Sequence, residues 1–496
     1  MRFFEILLSL ANFLAFCVIV IPLTSAMGFA RYTTPAALLI AVIQIADEGP
    51  RWQMIPAYML TAIFSLLWLT DILFPGGIQV HPVVSILGTG AGMLTLLVAI
   101  ALPVLLPVFR FPKPAGPYAI GTLTYHWVDT SRPELFTIGP GDHRELMVQV
   151  WYPAKNEPLA QHAPYIPDAE AVTPAMAYVT HYPRFLFSHL KYVKTNAIPS
   201  APVADDQPSY PVLIYLTGLG GFRSVSTFQI EALVSHGYIV VGLDQPGAVA
   251  MVRLPDGREI SGWPRENIQP LITQSVEPQS GTPSLHGEAL PDGVIPYFAQ
   301  DASFTLDQLA KLGQDDPNHL LTGRLDLEHA GVFGISLGGM NAAEICLKDP
   351  RLKACLIMDV HISADVVKAG LKRPTMFITR DAGTMRLERE RAGGWTEKDI
   401  ALTLDTMKSV YQNLPGDGYY VEIPKMFHLN FTDAPYWSPV TSLIGLTGPI
   451  NGQRGFDIVN AYTLAFFDKE LKGQTSLLLD ETSDKYPEVN FGRRSS

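Results

Sequence analysis

Charged residues are scarce in this chain of 496 residues, and cysteine is scarcer still. Asp, Glu, Lys and Arg make up 17% of the sequence, and the mean hydropathy is positive at +0.17. Soluble globular domains usually carry more charge, so the apolar residues should be concentrated in one region. There are three cysteines and no C-x-x-C pair. This pattern excludes a disulfide-framework protein and a cysteine-based zinc site.

The cysteines themselves suggest packing and not cross-linking. Cys17 lies in an apolar run, while Cys346 and Cys355 fall on a predicted helix and on the strand beside it. We expect these last two to be small buried hydrophobic residues and not a disulfide.

Positive charge is also lacking in the globular part. The first 110 residues carry four basic and four acidic side chains, so the net charge of −11 lies entirely after them. An acidic domain repels nucleic acid and anionic lipid headgroups. The sequence therefore predicts no nucleic-acid partner.

Long apolar runs fill the first 110 residues. Residues 3–21, 55–74 and 83–109 are each long enough to cross the ~30 Å hydrocarbon core of a bilayer. Residues 34–46 form a shorter run, which is either a fourth span or an interfacial segment. We expect residues 1–110 to be a bundle of three or four transmembrane helices, in a multi-pass protein of a bacterial inner membrane.

The basic residues that flank these runs predict the orientation. They are Arg2, Arg31, Arg51, Arg110 and Lys113. With four spans, all of them except Arg31 are cytoplasmic. With three spans and the N-terminus outside, all except Arg2 are cytoplasmic. Both arrangements place the C-terminal domain in the cytoplasm, by a margin of a few charges.

After the apolar region, a Pro/Gly-rich stretch at residues 111–117 predicts a linker. Short apolar runs then alternate with helical patterns from residue 118 to 472, which indicates a mostly parallel sheet with helices on both faces. Pro-, Gly- and polar-rich stretches at about 153–208 and 248–296 interrupt this alternation, and we expect lid-like insertions there. Residues 473–496 are expected to form a polar tail. The predicted strands are residues 145–152, 210–216, 238–243, 330–333, 354–358, 375–379 and 419–423, and the predicted helices are residues 226–236, 298–312, 339–347, 399–414 and 456–471.

A G-x-S-x-G motif carries the first sign of chemistry. Residues 334–338 read Gly-Ile-Ser-Leu-Gly, between a short apolar run and a helical pattern. This strand–turn–helix context is typical of a nucleophile elbow, which lifts a serine hydroxyl above the sheet. We expect Ser336 to be a nucleophile.

A serine nucleophile needs a base and an orienting acid, which follow it along the chain in sheet-based hydrolases. His361 and His428 are the histidines after Ser336, and His428 follows the last predicted strand. We expect His428 to be the base, because His361 lies too close to the end of its own strand. Asp359 and Asp381 end successive strands, and either of them could supply the acid.

Backbone donors for an oxyanion are expected beside the serine. One is the N–H of Leu337, and the other should come from the glycine-rich loop at residues 217–222. This loop also approaches a G-x-G-x-x-G pattern, but Arg223 occupies the position of the third glycine. We therefore expect no nucleotide cofactor.

Together these motifs resemble the plasma-type (isoform II) platelet-activating factor acetylhydrolase family. The resemblance covers about residues 118–472, and its markers are residues 218–223, 235–240, 334–339, 358–359 and 428–433. It implies an α/β-hydrolase fold, selects Asp359 as the acid over Asp381, and implies Leu219 and Leu337 as oxyanion donors. It also implies release of short or oxidised acyl chains from lipid-like esters without a metal.

The chain departs from the family at three positions near these motifs. Members usually carry His at the position of Thr217, often His at Ile335, and an aromatic residue at Val360. The apolar N-terminal region has no counterpart in the secreted members.

The sequence predicts a membrane-anchored carboxylic ester hydrolase with the triad Ser336, His428 and Asp359, acting through an acyl-enzyme on short-acyl or lipid-like esters. No cofactor is expected. Two alternatives stay open. The same triad could cleave amides or thioesters, or the hydrolase-like domain could only bind a ligand or partner.

Overall fold

The computed structural model describes residues 1–20, 27–74, 81–137, 139, 141–157, 159–480 and 484–495. Parts of the predicted membrane region, the first insertion and the tail lie outside these ranges. The chain divides into two compact units. The first comprises Met1–Phe109, Ser188–Val193 and Trp437–Val440, and the second comprises Arg110–Phe187, Lys194–Tyr436 and Thr441–Ser496.

Apolar helices dominate the first unit: α1 (Phe3–Val20), α2 (Met27–Asp47), α3 (Ile55–Leu73) and α4 (Pro82–Leu105). Within the described residues, the segments Phe3–Val20, Trp52–Leu73 and Pro82–Leu105 are long and apolar enough to cross a membrane. Tyr32–Asp47 is a shorter apolar helical segment. The N-terminal helices thus have the apolar character that the sequence predicted.

Buried polar contacts join the ends of these helices. Arg51, just before α3, contacts Glu5 of α1 through two hydrogen bonds of 2.7 Å, and its Nη1 donates to the carbonyl of Leu106 after α4 (2.6 Å). Arg2 lies 3.7 Å from Glu48, which follows α2. The starts of α1 and α3 and the ends of α2 and α4 therefore lie together.

Ten strands form one sheet in the described part of the second unit, in the order β14-β13-β12-β11-β10-β4-β5-β2-β1-β3. The six strands from β13 to β5 are parallel, and antiparallel strands flank them on both sides. The strands of the unit are β1 (Ala119–Pro133), β2 (His143–Ala154), β3 (Ala197–Pro199), β4 (Tyr210–Leu216), β5 (Ile239–Asp244), β6 (Met251–Arg253), β7 (Glu259–Ser261), β8 (Ser284–Leu285), β9 (Glu288–Ala289), β10 (Leu325–Ile335), β11 (Leu352–Met358), β12 (Thr375–Thr379), β13 (Gly418–Glu422) and β14 (Asn490–Arg494).

The centre of the sheet is buried along whole strands. Every residue of β4, β5 and β12 is buried, as expected for parallel strands that helices cover on both faces. The helices of this unit are α5 (Ala169–Val179), α6 (Thr227–Ser235), α7 (Arg265–Val276), α8 (Ile295–Gln314), α9 (Leu337–Lys348), α10 (Ala364–Ala369), α11 (Ala382–Ala392), α12 (Glu397–Gln412), α13 (Ala434–Trp437) and α14 (Gly452–Lys472). The predicted α/β fold class is confirmed.

Local signals predicted several of these elements closely. The helix predicted at residues 399–414 is α12, and Thr396 and Asp399 form a reciprocal capping box at its start. The sequence analysis did not predict the long strand β1, although its residues alternate between polar and apolar as in a half-buried strand. It also missed β14, which lies in the segment predicted as a polar tail. Charged residues are common on an edge strand such as β14, because they discourage pairing with other chains.

The expectation for two of the cysteines was wrong. Cys346 of α9 and Cys355 of β11 are buried, as expected, but they form a disulfide with a Cα–Cα distance of 6.5 Å. The chain reverses at residues 349–351 between the helix and the strand, which brings the two residues face to face.

Candidate active site

Ser336 lies in a sharp turn between β10 and α9. Its φ of 57° is in the left-handed region, which non-glycine residues rarely occupy except at functional sites. The turn is held by its backbone: the N–H of Ser336 donates to the carbonyl of Met358 (3.0 Å), and the N–H of Gly339 donates to the carbonyl of Ser336 (2.8 Å). The strand, turn and helix of the predicted elbow are all present.

Both glycines of the motif are required by close backbone packing. A Cβ on Gly338 would lie 2.0 Å from the carbonyl oxygen of Leu216, at the end of β4. A Cβ on Gly334 would lie 2.3 Å from the carbonyl oxygen of Gly338. Any larger residue at these positions would push α9 away from the sheet and displace Ser336.

Asp359 and His428 are joined by a short polar contact. Asp359 follows β11, and His428 begins a short 3-10 helix after β13. The Nδ1 atom of His428 lies 2.6 Å from Oδ2 of Asp359. The Asp359 side chain is fully buried, whereas 22% of the His428 side chain is exposed. The carboxyl ends of parallel strands meet at one edge of a sheet, which explains how distant segments supply both groups.

Asp359 remains ionised despite its burial. Desolvation alone would raise the pKa of this carboxyl group, but the charge of Arg380 and the hydrogen bonds from His428 and Arg380 outweigh it and lower the pKa to about 2. A carboxylate that accepts the Nδ1 proton of an imidazole leaves Nε2 free to accept another proton.

Asp381 is not directed at His428. Its carboxylate caps α11, accepting the backbone N–H of Thr384 (2.9 Å) and the hydroxyl of the same residue (2.5 Å). Of the two candidate acids, the structure brings only Asp359 into contact with His428.

The glycine-rich loop at residues 217–222 runs beside the nucleophile. A Cβ on Gly218 would lie 3.1 Å from Cβ of Ser336 and 3.6 Å from its Oγ. The loop is held by hydrogen bonds from the N–H of Gly221 to Gly218 (3.0 Å) and from the N–H of Gly220 to Ala248 (2.7 Å). Leu219 is half-buried in this loop, and Leu337 is buried as the first residue of α9.

The sequence analysis did not predict a cluster of three residues next to this pair, of which Arg380 and Glu388 are buried. It consists of Arg380, Glu388 and Trp395, which contact Asp359, His428 or one another. Arg380 directly follows the apolar strand β12. A charged residue at the end of a buried strand could have indicated that Arg380 has a buried partner. The sequence did not indicate which residues those partners are, because they come from α11 and the segment after it.

His361 lies on a separate cavity of about 320 Å³. Arg265 and Thr273 of α7 line the cavity together with Lys398 and Asp399 of α12. Burial lowers the pKa of His361. Because α7 falls in the predicted insertion at residues 248–296, this insertion contributes one wall of the cavity.

Comparison with known proteins shows which family this chain resembles. Residues 106–252 match the family model described as platelet-activating factor acetylhydrolase, isoform II. A probable 1-alkyl-2-acetylglycerophosphocholine esterase from Arthroderma benhamiae is 25% identical over 412 residues, covering 77% of this chain and 94% of that protein. The platelet-activating factor acetylhydrolase of Gallus gallus is 22% identical over 400 residues, covering 73% and 84%.

The chain is similar to the platelet-activating factor acetylhydrolase isoform II family. The chain is also similar to a solved ferulic acid esterase from Streptomyces cinnamoneus, with a TM-score of 0.58 and 26% identity over 78% of this chain and 99% of that one, which supports the hydrolase fold. These comparisons confirm the predicted resemblance to the family, the fold and the enzyme class of carboxylic ester hydrolase. The family-model match ends before β10, so it includes the glycine-rich loop but not Ser336, Asp359 or His428.

Proposed function

We propose that Ser336, His428 and Asp359 form the catalytic triad of this ester hydrolase. The observation that carries the proposal is the 2.6 Å contact between His428 and the buried Asp359, at the sheet edge where Ser336 occupies its strained turn. A buried carboxylate, an imidazole and a raised serine hydroxyl are the groups that acyl transfer requires.

The chemistry then proceeds in two steps. Oγ of Ser336 attacks the ester carbonyl carbon while Nε2 of His428 accepts the hydroxyl proton, and Asp359 stabilises the imidazolium that forms. The tetrahedral intermediate collapses when His428 returns the proton to the leaving alcohol. Water, activated by the same imidazole, then releases the acid from Ser336.

The negative oxygen of the intermediate needs donors that are in place before the reaction. We propose the backbone N–H groups of Leu219 and Leu337. Leu337 starts α9, where the free N–H groups and the helix dipole favour negative charge. Leu219 follows Gly218, whose backbone lies against Ser336. Removing one such donor in a serine hydrolase typically costs about 10²–10³ in kcat.

Short-acyl or lipid-like esters are the proposed substrates. Support comes from the relatives, whose names specify an acetylated glycerophosphocholine or platelet-activating factor. Lid-like insertions at about 153–208 and 248–296 would then shape access to the site. The same acyl-enzyme chemistry would serve amides and thioesters, so matched ester, amide and thioester substrates must be compared directly.

Substitution of the nucleophile tests this function. Ser336→Ala should lower kcat on a p-nitrophenyl ester by several orders of magnitude, because the covalent step loses its attacking atom. Near-normal turnover by a purified Ser336→Ala variant, free of contaminating esterase, would contradict the assignment.

We further propose that four helices cross the membrane, with α2 as one of them. The contacts of Arg51 and Arg2 join the starts of α1 and α3 to the ends of α2 and α4, as four alternating crossings require. The chain would then leave α4 on the side of its N-terminus, which the charge count predicts to be cytoplasmic. The Cys346–Cys355 disulfide favours the opposite side, since disulfides are rare in the cytosol.

A reporter fusion distinguishes the cytoplasmic location that the charge count predicts from the opposite location that the disulfide favours. Alkaline phosphatase fused to the C-terminus is active only outside the cytoplasm. We expect an inactive fusion, because the charge count places the C-terminus in the cytoplasm. An active fusion with an oxidised pair would place the hydrolase domain outside.

A further inference from the structure

Arg380 is a fully buried cation in direct contact with the proposed catalytic acid. Its Nε lies 3.1 Å from Oδ1 and 3.0 Å from Oδ2 of Asp359. Its Nη1 forms a salt bridge with Glu388 of α11, a side chain that is 9% exposed. Arg380 therefore bridges two buried carboxylates.

The same cluster reaches the proposed base from its other side. The carboxylate oxygens of Glu388 lie 3.4 and 3.5 Å from the backbone nitrogen of His428. The Trp395 ring centroid lies 5.4 Å from that of the His428 imidazole.

Trp395 also covers the guanidinium, with its ring centroid 4.5 Å from Cζ of Arg380. Nη2 of Arg380 has no hydrogen-bond acceptor among the residues that the structure describes. The face of the Trp395 ring stabilises the guanidinium through a cation–π contact in place of a hydrogen-bond acceptor. The guanidinium is thus fixed by Asp359 directly after β11, by Glu388 of α11 and by Trp395 in the segment after α11.

Burying this many charged groups costs desolvation free energy, so the cluster is unlike one that serves stability alone. Buried ion pairs seldom stabilise a fold more than apolar residues of the same size would. A cation against the catalytic acid has a direct chemical consequence, however. It weakens the attraction of Asp359 for a positively charged imidazole, while the nearby Glu388 strengthens that attraction.

We propose that Arg380 and Glu388 are positioning residues that set, with opposite signs, the pH at which His428 becomes available as a base. The inference rests on the proposed triad. Arg380 keeps Asp359 ionised and oriented but disfavours the protonated imidazole. Glu388 restores part of the negative charge that Arg380 neutralises.

Other titratable groups surround His428 and must stay constant in a test. Asp359 accepts its Nδ1 contact, and His361 follows the same strand within electrostatic range. Asp381 acts on Arg380 from the start of α11, and Tyr420 of β13 is in electrostatic contact with Asp359. None of these groups changes in the variants proposed here.

The test is the pH dependence of kcat/KM for a p-nitrophenyl ester, measured on the full-length protein in detergent. The acidic limb of this profile reports protonation of the base in the free enzyme. Glu388→Gln removes a negative charge and should move the limb to lower pH, by about one unit at the effective dielectric of protein sites. Arg380→Met removes a positive charge and should move it to higher pH, with kcat reduced by about a hundredfold through loss of orientation.

Glu390→Gln is the matched control, because Glu390 lies on the same helix as Glu388 and is exposed. Its acidic limb should coincide with that of the wild type. If Arg380→Met does not fold, Glu388→Gln carries the test alone, since glutamine keeps the size of the side chain and an oxygen to accept from Arg380.

A downward shift in Glu388→Gln with an upward shift in Arg380→Met supports the proposal, and the downward shift in Glu388→Gln alone does so when Arg380→Met does not fold. The reversed pair of shifts would overturn it. An unmoved limb in Glu388→Gln, or shifts of the same sign in both variants, would overturn it and leave only a structural role. Covalent labelling of Ser336 by a fluorophosphonate probe is run in parallel. Absence of labelling in the wild type signals failure of the triad itself, which is a separate result.

Discussion

His428 and Asp359 lie 2.6 Å apart although 69 residues separate them in the sequence. Asp381, which lies just beyond the neighbouring strand β12, instead caps α11 through Thr384. Two aspartates that look equivalent in the sequence thus have different partners, and this difference supports predictions that can be measured.

Asparagine substitutions should separate the two aspartates. Asp359→Asn should lower kcat by about 10³–10⁴, because the amide no longer selects the imidazole tautomer that leaves Nε2 free. Asp381→Asn should leave kcat within a few-fold of the wild type, since asparagine also caps helices well. Both variants would be assayed on one ester, with thermal unfolding as a check of folding. Equal losses, or a larger loss in Asp381→Asn, would contradict the assignment of the acid.

Gly218 should tolerate no side chain beside the nucleophile. In Gly218→Ala the new methyl group would lie 3.1 Å from Cβ of Ser336, so the loop must shift away. We expect kcat/KM to fall by roughly tenfold to a hundredfold because the proposed oxyanion donors move out of line. Gly416→Ala is the control, since a Cβ there meets nothing within 4 Å. Equal activity in the two variants would remove the loop from the mechanism.

Glu344 of α9 should make stability depend on pH. Burial, together with a hydrogen bond to Asp365 and the charge of that residue, raises the pKa of the Glu344 carboxyl from 4.5 to about 7. Between these values the folded protein holds a proton that the unfolded chain releases, so stability falls as pH rises from about 4.5 to about 7 and is level above that. Glu344→Gln carries no such proton.

The variant should therefore match the wild type near pH 4.5 and become more stable than it with rising pH. We expect a difference of about 3 kcal/mol or less at pH 8. Thermal unfolding of the detergent-solubilised protein across this range measures it. A Glu344→Gln variant whose midpoint differs from that of the wild type by the same amount at every pH would show that the carboxyl group does not titrate in this way.

Local patterns were sufficient for the elements that carry the proposed triad. The two glycines of residues 334–338 indicated a turn in which the backbone packs too closely for side chains at these positions. Apolar runs indicated the strands that Asp359 and His428 follow. These signals are local because a parallel sheet gathers the ends of its strands at one edge. The choice between Asp359 and Asp381 needed the resemblance, since both follow buried strands.

Contacts between distant segments were beyond the reach of such patterns. Arg380 looked like an ordinary polar residue after a strand, because nothing in its neighbourhood indicated that Glu388 and Trp395 would enclose it. The Cys346–Cys355 pairing depended on the angle at which α9 returns to β11. The edge strand β14 was not predicted, because its charged residues are as common in a polar C-terminal tail as on the edge strand of a sheet.

The most direct test of the account is the site and rate of labelling by a fluorophosphonate probe, read by peptide mass spectrometry on the full-length protein. We predict a single stoichiometric adduct on Ser336 in the wild type, with labelling slowed by several orders of magnitude in His428→Ala. An adduct on another serine, or labelling of Ser336 that is equally fast without the His428 imidazole, would contradict it.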